Sequence, residues 1–254
     1  MWCLSTTLLV YWVRKMKIDL YDDGRGFVEL VDHMGTDLTI VNSARVSFGK
    51  HKEEMDDGDI KLIEYLVKHR HTSTFEHNTV TFRMKVPLFV RSQHHRHRTW
   101  SYNEISRRYT DFNIEFYEPN SFRTQHKSNR QASNLDKINP HMSISFGGTY
   151  GDGTYRGAAS DILRQYYRDT LRLFDALLDA GVCREQARGI LPQNMYCEYY
   201  GSVNLHNALH FIKLRSHEGA QWEIQQVATA MLEMLEPLFP VAIEAWRERE
   251  NEEG

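Results

Sequence analysis

The chain has few cysteines, no long apolar run and no excess of positive charge, and each absence excludes a class of protein. Its three cysteines, Cys3, Cys183 and Cys197, are odd in number and show no paired spacing, which argues against a disulfide framework or a cysteine-based zinc site. This cysteine usage is typical of a reducing cytoplasm. A formal net charge of −3 gives no global positive field that would hold the protein on nucleic acid, so any anion site must be local.

The apolar run near the N-terminus covers only residues 8–13. A helix that spans a membrane needs about 20 apolar residues, so we expect no membrane insertion. The segment also lacks the basic start and the small-residue cleavage site of a secretory leader. Because Met16 begins a strand-like pattern, we predict that residues 1–15 are a dispensable extension and that residues 16–250 form the domain.

Motifs of several enzyme classes are absent. The sequence contains no Gly-x-Ser-x-Gly elbow, no catalytic-cysteine signature and no pair of histidines four apart with an intervening glutamate. The glycine-rich residues 147–153 lack the following Lys-Ser/Thr of a phosphate-binding loop, and we interpret them as an ordinary loop. Internal repeats and coiled-coil heptads are absent as well.

Hydrophobic periodicity predicts an α+β domain. Acidic Asp56 and Asp57 precede an apolar helical stripe that ends near His69. Apolar and polar residues alternate over 79–86 as in a half-buried strand, and Pro87 then stops the strand and opens a short helix. Ser101 with a glutamate three residues later resembles a capping box and predicts a further turn of helix.

The second half of the chain begins with residues 119–157, which show no periodicity and which we predict to be an irregular insertion. Helical spacing follows over 162–180, 204–214 and 220–235. Strands predominate early in the sequence and helices late. This order predicts a single domain with a mixed, mainly antiparallel sheet flanked by helices.

The most informative segment is 93–109, which contains four arginines, three hydroxyl side chains, an asparagine and a glutamate. Guanidinium groups match phosphate oxygens, so the segment suits a phosphorylated, hydroxyl-rich ligand. A solvated helix face is the alternative interpretation of the charges. A nucleotide- or RNA-binding module is another, because Trp100, Tyr102 and Tyr109 interleave aromatic rings with the arginines.

Several other candidate site residues each allow more than one role. His94 and His97 would share a helix face and could bind zinc in a hydrolase, although the neighbouring arginines oppose a cation. His71, with Ser73 and Glu76, lines a ligand pocket or caps a turn. Arg188 and Arg215 adjoin apolar helical residues, and each guanidinium would be paired by a structural carboxylate or by an anionic ligand.

The triplet Arg96-His97-Arg98 followed after seven residues by Ser106 resembles the signature of the flavin-dependent thymidylate synthases. The resemblance extends through ordered blocks over nearly all of the chain from Met16 to about Trp246. These blocks include residues 26–30, 43–47, 74–77, 101–104, 187–192, 214–215 and 220–223. The resemblance implies a cytoplasmic homotetramer with sites shared between subunits. It also implies reductive methylation of deoxyuridine monophosphate (dUMP) to dTMP.

The same resemblance implies FAD as cofactor, methylenetetrahydrofolate as carbon donor and NADPH as reductant, with no metal and no nucleic-acid partner. It places Arg215 on the uracil ring as the catalytic residue. The residues implied to bind dUMP are Gln93, His94, His95, Arg96, Glu104, Ile105, Ser106, Arg107, Arg108, Arg188 and Arg215. Those implied to bind FAD are Ser73, Arg96, His97, Arg98, Glu104, Asn204, Leu205, His206 and His210.

The chain departs from the family pattern at two positions. Ser73 stands where threonine is frequent, which keeps the hydroxyl. Gly219 stands where members often carry histidine directly before the Ala-Gln pair, and His217 lies two residues earlier. The second departure puts one flavin contact in doubt.

Overall fold

The computed structural model describes residues 16–129, 133–147 and 153–253. The predicted extension over residues 1–15 lies outside this range. The strands are β1 (Lys17–Leu20), β2 (Gly26–Met34), β3 (Thr79–Pro87), β4 (Ser101–Glu104), β5 (Phe122–Gln125), β6 (Ser133–Ile138), β7 (His141–Phe146), β8 (Gly153–Ala158) and β9 (Tyr196–Asn204). The helices are α1 (Asp37–Arg45), α2 (Asp57–Lys68), α3 (Leu88–His94), α4 (Ala159–Asp179), α5 (Arg184–Ala187), α6 (Leu205–Ser216), α7 (Trp222–Leu235) and α8 (Pro240–Glu253). Short 3₁₀ turns cover Val46–Phe48, Thr72–Phe75 and Arg188–Ile190.

The central sheet has five strands in the order β1-β2-β3-β9-β4, and each pairing is antiparallel. The predicted alternation in β3 is confirmed, since Val80, Phe82, Met84 and Val86 are all 0% exposed. Full burial of such a side chain contributes roughly 1.5–3 kcal/mol, so this strand is a principal source of core stability. The predicted α+β class with a mainly antiparallel sheet is confirmed.

Helices α1, α2, α6, α7 and α8 supply the apolar side chains that cover the sheet and form its main core. The helices predicted over 204–214 and 220–235 correspond to α6 and α7. Eight of the fourteen residues of α7 are buried, which makes it a core helix. The N-terminal end of α7, at Gln221, meets α3 through a hydrogen bond to Gln93. This contact ties the core helix to the arginine-rich segment.

The prediction of irregular structure over 119–157 is wrong for its described residues. Strands β5 and β6 pair as one antiparallel hairpin, and β7 and β8 pair as another. The sequence shows no strand period because these hairpins bury little. In β6 five of the six residues are exposed, and Leu135 is 84% exposed. Backbone pairing, not an apolar face, holds these strands together.

The helical turn predicted at Ser101 is also wrong. Residues Ser101–Glu104 form β4, whose register pairs Ser101 with Ser202 and Glu104 with Tyr199. The edge of β9 offers partners for the backbone N–H and C=O groups of this segment, so tertiary pairing overrides the local capping pattern. As a result, Glu104 lies on the sheet edge beside the arginine-rich segment.

A smaller second core lies under α4, the helix predicted over 162–180. It includes Phe116, Tyr167 and Phe174, and the first two rings stack with centroids 4.7 Å apart. This cluster packs the loop after β4 and the segment before β9 against α4. It therefore fixes the loop that carries Ser106 and Arg108.

Candidate active site

The arginine-rich segment leaves the central sheet through α3. Pro87 has φ −62° and ψ 150° at the N-cap, so it ends β3 and opens the helix as the sequence predicts. The N–H groups of Leu88 and Phe89 donate to the carbonyl oxygens of Met195 and Gln193, both at 3.0 Å. These bonds satisfy the free donors of the first turn and anchor α3 to the chain before β9.

His94 anchors the segment in the core. It is 0% exposed, its Nδ1 lies 2.8 Å from the Tyr199 hydroxyl, and its ring centroid is 4.4 Å from that of Trp100 and 4.6 Å from that of Phe211. Burial, with lesser effects of nearby basic groups, holds the pKa of His94 well below its ordinary value. The side chain of His94 is therefore a neutral core group that positions the segment, and its implied place among the dUMP residues stays a prediction.

Tyr102 closes the turn between α3 and β4. Its hydroxyl donates to the carbonyl oxygens of His94 and His97 at 3.0 and 3.1 Å. Its ring stacks on His95 with centroids 4.0 Å apart. Because one side chain bonds two carbonyl groups of the turn, the backbone that carries Arg96 and Arg98 is fixed.

His97, which follows α3, contacts Arg215 near the C-terminal end of α6. Arg215 Nε donates to His97 Nε2 at 3.0 Å, and its Nη2 lies 3.5 Å from the carbonyl oxygen of Gln93. Burial and then the charges of Arg215 and His210 lower the pKa of His97 to about 4. His97 is therefore neutral at pH 7 and can accept the bond from Arg215.

Glu104 reaches the same segment from β4. Its carboxylate accepts a bond from Arg91 Nη2 at 2.6 Å. Cys197 on β9 is buried nearby, and burial raises the pKa of its thiol to about 12. This thiol is protonated at neutral pH and is a poor nucleophile.

A second group of predicted dUMP residues lies on the loop after β4. Ile105 N donates to Glu198 O at 2.9 Å, and Ser106 Oγ accepts from Arg108 N at 3.3 Å. Arg107 is only 7% exposed and donates to Phe112 O at 2.7 Å. Its guanidinium braces the loop, and its implied role in binding dUMP stays a prediction.

Arg108 lies beside α5, where its Nη2 is 3.3 Å from a carboxylate oxygen of Glu185. Arg188 follows α5 and is exposed in the single chain, so no structural carboxylate of the described residues pairs with it. Among the residues that the structure describes, the guanidinium groups of Arg96, Arg98 and Arg188 make no hydrogen bond or ion pair. These exposed cations supply local positive charge despite the net charge of −3.

Four of the predicted flavin residues lie at the N-terminal half of α6, namely Asn204, Leu205, His206 and His210. Asn204 caps the helix by accepting from Asn207 N at 2.9 Å, and Leu205 is 0% exposed, which places its side chain in the core. Ser73 is exposed on a 3₁₀ turn. His206 and His210 line a cavity of about 330 Å³, together with His71, Phe75, Leu209 and Trp246.

His210 also lies near His97, with ring centroids 6.3 Å apart, so the cavity is next to the segment that carries the Arg-His-Arg triplet. His217 Nδ1 accepts from Gly219 N at 3.0 Å. This bond folds the histidine back onto its own loop, at the position where the sequence departs from the family pattern.

Sequence reasoning assigned no role to three residues that the structure joins to Gln93. Gln93 Nε2 donates to Gln221 Oε1 at 2.6 Å, and Gln221 Nε2 donates to Glu223 Oε2 at 2.9 Å. Arg123 Nη2 lies 3.0 and 2.9 Å from the two carboxylate oxygens of Glu223. The resemblance included the Ala-Gln-Trp-Glu block, which was the available signal for two of them.

In residues 16–129, 133–147 and 153–253, no group of three or more His, Cys, Asp or Glu side chains is placed to hold a metal ion. The helices in these ranges include none that is long and apolar enough to cross a membrane.

Comparison with known proteins gives consistent matches. The family model described as thymidylate synthase complementing protein matches residues 29–241. A flavin-dependent thymidylate synthase from Thermus thermophilus is 43% identical over 224 residues, which are 88% of this chain and 76% of the relative. Another from Wolbachia pipientis is 34% identical over 245 residues, which are 93% of this chain and 80% of the relative.

A solved structure has the same fold. The UMP/dUMP methylase from Streptomyces cacaoi, bound with 5-bromo-dUMP, superposes with a TM-score of 0.71 at 33% identity and covers 91% of this chain and 97% of the methylase. With the matched family model and the identities above, this likeness confirms the resemblance found in the sequence. The chain belongs to the family of the flavin-dependent thymidylate synthases.

Proposed function

We propose that this chain catalyses the reductive methylation of dUMP to dTMP. Methylenetetrahydrofolate donates the carbon, FAD reduced by NADPH donates the hydride, and tetrahydrofolate is released. Family membership and the similarity to a UMP/dUMP methylase support this reaction. The observation that carries the proposal is the contact of Arg215 with neutral His97 beside Gln93.

Arg215 is the proposed catalytic residue. His97 holds the Arg215 guanidinium through a bond to Nε. Within the described ranges, Nη1 of Arg215 makes no hydrogen bond. A fixed cation against the uracil ring stabilises the ring anion, which makes carbon 5 nucleophilic without a covalent cysteine adduct. The high pKa of Cys197, about 12, fits a reaction that does not use this thiol.

The phosphate of dUMP is proposed to bind at Ser106, Arg108 and Arg188. Arg108 and Arg188 are exposed cations, and the Arg108–Glu185 pair brings the loop after β4 to α5, which Arg188 directly follows. A phosphate dianion would compete with Glu185 for Arg108 and gain charge-assisted bonds. Gln93 and Glu104 are proposed to contact the sugar.

FAD fits the residues on and around α6. The cavity of about 330 Å³ combines apolar walls with His206 and His210, as ring-binding sites do, and the unpaired Arg96 and Arg98 suit the diphosphate. When bound, FAD supplies the hydride chemistry. Ser73, His97, Glu104, Asn204 and the backbone of Leu205 are the remaining residues proposed to hold it.

We propose a cytoplasmic homotetramer whose sites combine residues of different chains. In the described ranges, no hydrogen bond or ion pair joins the cluster of Gln93, His97 and Arg215 to Ser106, Arg108 or Arg188. The cavity beside α6 is also open to solvent in the single chain. Both features suit a site completed by a neighbouring subunit, and light scattering on the purified protein measures the assembly.

A spectral titration tests the proposed function. The protein is saturated with FAD and titrated with dUMP, and we expect the flavin bands to shift at saturable concentrations. The Arg215→Ala variant should keep its flavin bands and lose methyl transfer. Failure of the wild type to bind FAD would overturn the proposal and return the arginine-rich segment to the nucleotide- or RNA-binding interpretation.

A further inference from the structure

A chain of polar contacts runs from the β5–β6 hairpin to the nucleotide residues. Its members are Arg123 on β5, Glu223 and Gln221 at the start of α7, and Gln93 at the end of α3. The direction of each hydrogen bond in this series of contacts follows from the chemistry of the Glu223 carboxylate.

Glu223 fixes the direction because an ionised carboxylate can only accept. It is 4% exposed and accepts from Arg123 Nη2, from Gln221 Nε2 at 2.9 Å and from the Tyr117 hydroxyl at 3.3 Å. Buried carboxylates need such partners, and Arg123 supplies the opposite charge. Gln221 must therefore turn its amide nitrogen toward Glu223.

The orientation of Gln221 then dictates that of Gln93. With its nitrogen on Glu223, Gln221 presents Oε1 to Gln93, and this oxygen accepts from Gln93 Nε2 at 2.6 Å. The second hydrogen on Gln93 Nε2 is directed to Phe89 O at 3.4 Å. With both hydrogens directed into the protein, the Gln93 amide offers its oxygen to a ligand, so it can accept and cannot donate.

We propose that Arg123, Glu223 and Gln221 are positioning residues that hold the Gln93 amide as an acceptor for a hydroxyl group of the nucleotide sugar. This inference rests on the proposed function, which places Gln93 at the sugar of dUMP. The 3′-hydroxyl of a deoxyribose is the donor that such an oxygen recognises. A site without the three residues would let the amide flip and would recognise this hydroxyl less well.

The β5–β6 hairpin acquires a role from the same contacts. Arg123 Nε donates to Ser133 Oγ at 2.9 Å, which joins the two strands. Its guanidinium also lies over the Trp222 ring, 5.3 Å from the centroid. The hairpin therefore holds the cation that pairs with Glu223 and orients its carboxylate.

The test compares binding of dUMP with binding of 2′,3′-dideoxyuridine monophosphate, which lacks the 3′-hydroxyl. The main variant is Gln221→Met, which keeps the side-chain length and removes both amide groups. The matched control is Gln226→Met on the same helix, because Gln226 makes no hydrogen bond to the described residues. Affinities are measured on the FAD-loaded protein from the perturbation of the flavin bands, and melting temperatures report folding.

We expect the wild type and Gln226→Met to prefer dUMP over the dideoxy analogue by about tenfold, the worth of one hydrogen bond to a buried partner. Gln221→Met should bind dUMP about tenfold more weakly, with unchanged affinity for the analogue. An unchanged preference for dUMP in a folded Gln221→Met variant would overturn the inference. If the wild type fails to bind dUMP at all, the proposed function itself is wrong.

A second variant covers the case in which Gln221→Met does not fold. The double variant Arg123→Met with Glu223→Gln removes both charges together, which avoids a buried unpaired ion. The new amide at position 223 can donate as well as accept, so Gln221 loses its fixed direction. We expect the same loss of preference for the 3′-hydroxyl, and full retention of that preference would contradict the inference.

Discussion

Arg215 donates from Nε to Nε2 of His97 at 3.0 Å. This hydrogen bond joins two basic side chains, of which only Arg215 carries a charge. The arrangement requires a neutral imidazole, and the pKa of His97, lowered to about 4, provides it. The contact fixes one edge of the guanidinium and leaves the other for a ligand.

Replacing Arg215 by alanine should abolish most of the activity. The proposed role is electrostatic stabilisation of the uracil anion, and loss of one such group lowers turnover by about 10²–10³-fold. The Arg215→Ala variant should keep its flavin spectrum. The measurement is steady-state formation of dTMP, with Arg172→Ala on the exposed face of α4 as control. Near wild-type turnover in Arg215→Ala would remove this residue from the chemistry.

Acid should destabilise the protein through His97. The folded-state pKa of about 4 lies below the ordinary value of 6.5, so between these pH values the unfolded chain binds the proton more readily. The free energy of unfolding therefore falls as pH drops from 6.5 to 4 and is retained above 6.5.

The His97→Gln variant isolates this effect, because glutamine can still accept the bond from Arg215 and does not titrate. In urea unfolding at pH 7 and pH 5, the advantage of the wild type over His97→Gln should shrink at the lower pH. Gln226→Met, which replaces a side chain that does not titrate, is the control and should show a constant difference. A constant difference for His97→Gln would mean that His97 does not titrate as described.

Removing the carboxylate beside Arg108 should tighten nucleotide binding. Glu185 pairs with Arg108 at 3.3 Å, and a dUMP phosphate bound at Arg108, as proposed above, would displace it. We expect Arg108→Ala to raise KM for dUMP about 10–100-fold, as loss of a charge-assisted bond does, and Glu185→Gln to lower it a few-fold. Asp175→Asn, an exposed acid on α4, is the control. Equal KM values in all four proteins would place the phosphate elsewhere.

Asp37 at the start of α1 should stabilise α8, which is distant from it in the sequence. It is 5% exposed, and its carboxylate accepts from the backbone N–H groups of Val241 and Ala242 at 2.9 and 3.1 Å, which caps α8 from α1. Loss of an N-cap costs about 1–2 kcal/mol, so Asp37→Ala should lower the free energy of unfolding by that amount. Asp37→Asn keeps an acceptor and should lose less. Urea denaturation, with Asp175→Ala as reference, measures both, and equal stabilities would show that the cap is unimportant.

Local sequence patterns predicted the elements that depend on local physics. The alternation in β3 and the stop at Pro87 were predicted correctly because side-chain period and proline geometry act over a few residues. The turn at Ser101 was not, because its backbone pairs with β9, about a hundred residues away. The β5–β6 hairpin was missed since it buries almost no apolar face.

In the site as well, local patterns predicted some features, and contacts between distant segments decided the others. Composition predicted an anion site at the segment of Arg96 and Arg98, and both side chains are exposed and unpaired among the described residues. The core position of His94 could not be predicted, because its partners Tyr199 and Phe211 come from distant elements. The contact between Gln93 and Gln221 spans 128 positions in the sequence, beyond any spacing rule.

The most direct test of the central claim is a product analysis under anaerobic conditions with dUMP, methylenetetrahydrofolate, NADPH and FAD. Nucleotide and folate products are quantified together by mass spectrometry. We predict dTMP and tetrahydrofolate in equal amounts, with no product when FAD is omitted from the flavin-free protein. Formation of dTMP without flavin, or no dTMP in the complete mixture, would contradict the proposed reaction.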